Sequence, residues 1–122
     1  MKTSAKLVAQ GDVLFRRVER LPDGLVRMPR ENGKLIVAHS ETGHHHSIAD
    51  LAVEGWHDPQ DPLNAYLRWD GPLDAGGAVV LHERRYDTHE DVCLLGEGDA
   101  VVWQVRRQRE MSPWGDERRV ED

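Results

Sequence analysis

Three consecutive histidines, His44 to His46, lie in the middle of the chain within the segment TGHHHS. Successive side chains of an extended segment point to opposite faces, so His44 and His46 share one face and His45 points away. Two imidazoles at this spacing can both reach one first-row metal ion at about 2.0–2.2 Å. The spacing therefore predicts a chelating pair; the competing interpretation is a polar loop that is rich in imidazole.

Further metal ligands must come from elsewhere in the chain. Candidates are the neighbours His82 and Glu83 and the neighbours His89 and Glu90, because each pair adjoins a predicted strand that an antiparallel fold could bring across. Neutral imidazole with carboxylate support suits Zn, Fe, Ni or Mn, and open positions on such an ion could activate water or dioxygen. The predicted metal ligands are drawn from His44, His46, His82, His89 and Glu90.

The other residue types that can do chemistry give weaker signals. His39 shares a face with Leu35 and Val37, which predicts a buried, hydrogen-bonded histidine. Cys93 lies in DVCLL and is predicted to be a small core residue rather than a nucleophile. No set of residues assembles a recognisable acid, base and nucleophile, which favours a non-catalytic role and leaves enzymatic activity open.

The elements that must position these residues are predicted to be strands. Apolar, β-branched runs are short and are bounded by Gly, Pro, Asp and Asn, with turn signals about every 8–12 residues. The segment ENG is typical of a tight hairpin turn, 47–56 fits a short helix or a strand, and 57–62 is predicted to be a loop. We predict an all-β fold, a single small antiparallel β-sandwich or barrel of about seven to eight short strands. Residues 1–110 would form this domain and 111–122 a polar C-terminal tail.

Length, charge and cysteine usage exclude several classes of protein. A chain of 122 residues fits one domain, and its net charge of −6 argues against charge-driven nucleic-acid binding. The chain has no apolar window of about 18 residues, so no membrane partner is expected. The start of the sequence has no apolar signal-peptide core, and one cysteine excludes an internal disulfide. We expect a cytoplasmic protein, or part of a particle assembled in the cytoplasm.

Three stretches, QGDVLFRRV, AHSETGHHHSI, and THEDV followed by VRRQRE, resemble an uncharacterised family of small bacterial and phage proteins. Members show a T-G-H-x-H segment, a later H-x-E-H-like segment and a terminal R-Q-R-E strand. The resemblance covers residues 10–110 and implies no reaction. The earlier histidine of the H-x-E-H-like segment falls near Tyr86 here, and His82 lies four residues upstream. The positions that match the pattern are Thr42, Gly43, His44, His46 and His89.

The chain is also similar to a cupin barrel. Cupins use an HxH pair on a strand, and LLGEGDAVVWQV looks like the turn and strand of that fold. A cupin has a glycine six residues before the first histidine and an acidic residue after the second. Ala38 and Asp50 stand at those positions here, so the likeness extends to the barrel more than to a catalytic signature.

Three functions follow from these observations. The first is a small soluble β-domain with a His-based metal site and an accessory or binding role. The second is a phage or virion structural or accessory protein, a homo-oligomer whose His-rich loops meet at a symmetry axis. The third is a cupin-like metalloenzyme. A homo-oligomer or protein assembly is the expected partner, with Trp56 and Trp114 as possible anchors and Trp103 in the core.

Overall fold

The computed structural model describes residues 1–39, 45–82, 90–111 and 117–119. Within these ranges the regular structure consists of β-strands, and no helix is long and apolar enough to span a membrane. In chain order the strands are β1 (Lys2–Ser4), β2 (Leu7–Gln10), β3 (Val13–Val18), β4 (Val26–Arg27), β5 (Leu35–Ala38), β6 (His46–Ile48), β7 (Glu54–Asp58), β8 (Asp61–Trp69), β9 (Gly77–His82), β10 (Val92–Leu95), β11 (Val101–Arg107), β12 (Arg109–Met111) and β13 (Glu117–Arg119).

Two sheets pack face to face as a sandwich. One has five strands in the order β1-β10-β9-β6-β5, and the other has six in the order β2-β3-β11-β8-β7-β4. Neighbouring strands are antiparallel except β1 and β10, and β12 pairs with β13 in a separate two-stranded sheet. The predicted all-β fold is confirmed, as a sandwich. The described part of the two main sheets has eleven strands, more than predicted, because short edge strands such as β1 are polar and exposed and lack an apolar pattern.

The core lies between the sheets and receives every second residue of the central strands. Period-two alternation predicts that Val101, Trp103 and Val105 share one face, and all three are buried there. Their register partners on β8, which are Trp69, Leu67 and Ala65, belong to the same cluster. The facing sheet closes the cluster from the other side with Leu35, Val37, Ile48, Ala78, Val80, Val92 and Leu94.

The turn ENG begins the hairpin that leads into β5. Asn32 and Gly33 have φ angles of 52° and 78°, and the backbones of Glu31 and Lys34 exchange two hydrogen bonds of 2.8 and 3.0 Å. Two consecutive positive φ angles match the turn that suits the right-handed twist of paired strands. The predicted turn is therefore confirmed.

Two segments differ from their sequence-based interpretation. The ambiguous segment 47–56 contains strand residues at both ends, with a turn in which Asp50 accepts a hydrogen bond from the Ala52 N–H. The predicted loop 57–62 is the tip of the β7–β8 hairpin, so strand reaches further than expected. The Asp58 carboxylate accepts a hydrogen bond from the backbone N–H of Gln60, and the Asp61 carboxylate accepts one from that of Leu63. These side-chain hydrogen bonds stabilise a turn in which Pro62 has no N–H to donate.

The sandwich gathers several strand ends around one polar centre. β6 begins at His46, which is the register partner of His82 at the end of β9. Gly11, with a φ of 60°, makes the turn between β2 and β3 and places Gln10 and Asp12 on either side of it. Arg107 ends β11. These five positions, far apart in the chain, supply the buried polar side chains described next.

Candidate functional site

His46 and His82 are the two predicted ligands that the structure brings together. Their rings are stacked, with centroids 4.2 Å apart and planes 11° from parallel. His46 is fully buried and His82 is 6% exposed. The other two predicted histidines, His44 and His89, lie outside the described residues.

The stacked geometry does not aim both imidazoles at one ion. The nitrogen lone pairs of imidazole lie in the ring plane, and two nearly parallel planes do not converge between the rings. Consistent with this, the described ranges contain no group of three His, Cys, Asp or Glu side chains that could hold a metal ion. The ring of His82 therefore packs against that of His46.

Glu90 makes two different contacts, one through its side chain and one through its backbone. Its carboxylate forms a 3.0 Å ion pair with the amino terminus of Met1, and its side chain is about half exposed. Its backbone carbonyl, in contrast, faces inward and accepts a hydrogen bond from Gln10. The structure thus connects Glu90 to the polar centre through its main chain.

Gln10 fixes the tautomer of His46. The side-chain nitrogen of Gln10 donates to the carbonyl oxygens of Val80 at 2.9 Å and Glu90 at 3.1 Å. Carbonyls only accept, so the amide oxygen of Gln10 must face His46 Nδ1, which lies 2.9 Å away. His46 Nδ1 is therefore the donor in this hydrogen bond, and its Nε2 is the ring nitrogen on the Asp12 side.

Asp12 faces that second nitrogen. Its Oδ1 lies 3.6 Å from His46 Nε2, and both side chains are completely buried. This separation exceeds the usual 2.7–3.2 Å of an N–H···O hydrogen bond by roughly half an ångström. Two ligands that each lie about 2.2 Å from one tetrahedral ion are about 3.6 Å apart. The pair thus has the spacing of neighbouring ligands, which the sequence prediction missed because Asp12 reads as an ordinary turn residue.

Arg107 stands on the other side of the Asp12 carboxylate. Its Nη2 lies 3.6 Å from Asp12 Oδ2, and its Nη1 donates to the carbonyl of His39. The side chain of Arg107 is only 9% exposed. The preceding residue differs from Arg107, because Arg106 pairs with Asp61 at 2.9 Å on the surface.

The polar centre is a connected network. Asp12, His46, His82 and Arg107 all have partners, so none of these groups is stranded in the interior. A buried carboxylate, a guanidinium and an imidazole of fixed tautomer meet in this network. They do not form a nucleophile with an adjacent base.

Two further sequence predictions can be compared with the structure. His39 was predicted to be buried, but its side chain is 59% exposed and pairs with Glu31 at 2.8 Å. The prediction was wrong because β5 ends at Ala38, one residue before the alternation would have turned His39 inward. Cys93 is fully buried as predicted, and burial raises the pKa of its thiol above the ordinary value of 9.0.

Comparison with curated proteins finds no match, and neither does comparison with solved structures. The family model of a domain of unknown function, DUF8820, matches residues 9–108, a range that contains the whole polar centre. The match agrees with the predicted membership of an uncharacterised family. The chain belongs to the DUF8820 family of domains of unknown function.

Proposed function

We propose that this chain is a non-catalytic binding domain that takes up one divalent first-row metal ion next to Asp12 and His46. The observation that carries the proposal is the Gln10 hydrogen bond, which commits His46 Nδ1 as a donor and leaves Nε2 directed to the Asp12 side. Metal-bound histidines typically donate their other ring N–H to an oxygen in this way.

A cation at this place would meet Oδ1 of the Asp12 carboxylate, whose Oδ2 lies 3.6 Å from Arg107 Nη2. In the neutral tautomer, the Nε2 lone pair and the Asp12 carboxylate present two electron-rich groups to each other at 3.6 Å in a buried environment. Burial strengthens the interaction of such groups with a positive charge, because the local dielectric constant is lower than that of water. One imidazole nitrogen and one carboxylate oxygen are suitable ligands for Zn, Fe, Ni or Mn.

The proposal keeps part of the sequence-based ligand set and changes the rest. His46 stays a ligand, Asp12 joins it, and His82 orients the His46 ring by stacking instead of binding the ion. His44 and His89 stay predicted ligands from their sequence positions, and either would bring the ligand number closer to the usual four. The Glu90 carboxylate is not a ligand in this proposal. Glu90 contributes through its backbone carbonyl, which accepts a hydrogen bond from Gln10.

Metal binding by the untagged full chain tests the proposal. Co²⁺ is the probe, because tetrahedral coordination gives it a strong visible absorption, and Zn²⁺ should displace it. We expect stoichiometric binding by the wild type and loss of binding in Asp12→Asn and His46→Gln. The matched control is His57→Gln, which changes an exposed histidine on β7 and should bind as the wild type does. Far-UV circular dichroism of each variant separates lost binding from lost folding.

Two results would overturn the metal proposal. One is a wild-type chain that is folded yet binds neither Co²⁺ nor Zn²⁺. The other is binding that persists unchanged in both folded variants. The mass of the same preparation in solution tests the alternative of a phage or virion component: a metal-free, defined homo-oligomer would favour that assembly role.

A further inference from the structure

A recess of about 520 Å³ opens where the five-stranded sheet ends at β5. Its volume lies within the roughly 300–1,000 Å³ of typical small-molecule sites. Strand β5 forms one side, and β8 and β11 form the other. The apolar part of the lining includes Ile36, Val37, Ala38, Leu63, Ala65 and Val105. Each of these six residues is at most 8% exposed, so the apolar walls lie below the surface of the domain.

Two irregular stretches of strand border this recess. A register shift in β5 leaves Val37 without a register partner on β6. A second shift, in the β7–β8 hairpin, leaves residues 62–64 of β8 without register partners on β7. Extra residues of this kind bend a strand and interrupt its pairing. Both stretches line the recess, so its shape follows from the course of the backbone in both sheets.

The charged side chains of the lining already interact with other groups of the protein. Arg107 lies 3.6 Å from the buried carboxylate of Asp12 and donates a hydrogen bond to the His39 carbonyl. The Glu31 carboxylate pairs with the His39 ring at 2.8 Å, and both of those side chains are more than half exposed. Among the residues that the structure describes, the buried walls therefore present apolar surface and a guanidinium whose charge is balanced by Asp12.

We propose that this recess binds a small, uncharged and largely apolar molecule. Apolar walls that face water become more stable when hydrocarbon replaces that water. An ionised head group that entered with the hydrocarbon would lose its hydration and gain no opposite charge in return, because the buried charge of the lining is already balanced. A neutral ligand is therefore favoured over an anion or a cation with the same hydrocarbon part.

This second binding place is distinct from the proposed metal site. Asp12 and His46 do not line the recess, and the two places are connected through the contact between Asp12 and Arg107. Ligand binding is measured in the presence of EDTA, so that metal occupancy does not affect the result. The two proposals can therefore fail independently.

Titration of the ¹⁵N-labelled full chain with octanol tests the recess. Octanoate and protonated octylamine are the matched probes, since they share the hydrocarbon chain and carry a negative or a positive head group. We expect octanol to shift the amide resonances of residues 36–38, 63–65 and 105. It should bind at least about tenfold more tightly than either charged probe, because the charged head groups would lose their hydration. This comparison uses the wild type and depends on no variant.

A variant that fills the recess locates the binding. Leu63 lines the recess but lies outside the main hydrophobic cluster, so Leu63→Trp should occupy the space and weaken octanol binding by at least about tenfold. Leu7→Trp is the matched control. Leu7 is 54% exposed on β2 and does not line the recess, so this variant should bind octanol as the wild type does. Far-UV circular dichroism establishes that both variants are folded.

The inference is overturned by any of three results. The first is an absence of octanol-induced shifts at the recess residues. The second is octanoate or octylamine binding as tightly as octanol. The third is octanol binding that is equal in folded Leu63→Trp and Leu7→Trp, which would place the bound octanol elsewhere on the domain.

Discussion

Gln10 forms hydrogen bonds with Val80, Glu90 and His46, which lie far apart in the chain. These contacts make it the most informative single residue of the proposed metal site. Replacing it with alanine removes the acceptor of the His46 Nδ1–H without touching a ligand. We expect Gln10→Ala to weaken Co²⁺ affinity by about 10–100-fold, the usual effect of losing a partner that orients a metal-bound histidine. Gln104→Ala is the control, since Gln104 bonds Asn64 on the outer side of β11. Equal affinities of the two variants would contradict this role.

The two fully buried tryptophans differ in their hydrogen bonding. The Trp69 indole N–H donates to the Gly96 carbonyl at 3.3 Å, whereas the Trp103 N–H has no hydrogen-bond partner among the described residues. Both phenylalanine variants replace a fully buried indole, but only Trp69→Phe loses a hydrogen bond. We expect Trp69→Phe to cost about 1 kcal/mol more unfolding free energy than Trp103→Phe in urea denaturation. The reverse order would show that packing around the two rings differs more than their hydrogen bonding.

Burial of Cys93 predicts a pH dependence of stability. Its thiol has a raised pKa in the folded chain, whereas the unfolded chain ionises it near the ordinary 9.0. Below that pH the thiol is neutral in both states and contributes no pH dependence. Above it the unfolded state loses the proton first, so the free energy of unfolding falls as the pH rises toward the folded pKa. The wild type should therefore lose more stability than Cys93→Ala between pH 8 and pH 10, roughly the range set by the reference pKa. Parallel pH profiles for the two proteins would contradict this.

At the residue scale, alternation could have predicted more of the site than it did. Arg107 follows Val105 by two residues, and the period that buries Val101, Trp103 and Val105 also turns Arg107 inward. The approach of Asp12 to His46 could not be predicted in the same way. It depends on the turn at Gly11 and on how the two sheets face each other, which local sequence patterns do not encode.

At the element scale, strand β9 begins with a glycine because there is no room for a side chain, whereas the turn glycines are needed for their positive φ angles. Gly77 has no positive φ angle, but a Cβ atom there would collide with the backbone carbonyl of Leu94 on β10. Because backbone cannot yield as a flexible side chain does, we expect Gly77→Ala to cost about 3 kcal/mol or more. Gly71→Ala is the comparison: its φ is +76° but no atom lies within 4 Å, so backbone strain of about 1–2 kcal/mol is its only cost. Thermal unfolding of both variants measures the difference, and equal costs would contradict the collision.

The pairing of β6 with β9 shows which part of an element can be predicted from sequence. The run AVVLH reads as a strand because its residues are β-branched and apolar, and the strand is present. The register of β9 places His82 opposite His46 on β6, a residue 36 positions away in the sequence. Local sequence patterns do not specify such a long-range pairing. The sequence therefore identified His82 as a candidate residue but could not predict that its ring stacks on that of His46.

At the scale of the whole molecule, both sheets contribute to one apolar cluster. Strands β5, β6, β9 and β10 supply it from one side, and β3, β8 and β11 from the other. Neither face is covered without the other, so the two sheets are expected to unfold together in one cooperative transition. The regularity of this core explains why the fold class could be predicted from the sequence, whereas the approach of Asp12 to His46 depends on how the sheets pack.

We expect the C-terminal limit of this cooperative unit close to Gln108. Its backbone N–H donates to the Asp12 carbonyl at 2.9 Å, and the family match ends at the same residue. Strand β12 then pairs with β13 in a separate sheet. We expect a chain of residues 1–110 to keep one unfolding transition, with a Tm within about 4 °C of the full chain, a change of less than about 1 kcal/mol. A chain that ends at residue 104 is the contrasting control. It loses Val105 from the core and Arg107 from the polar centre, so it should unfold at a far lower temperature. If the 1–110 chain were destabilised as strongly as that control, residues 111–122 would belong to the domain and the predicted tail would be wrong.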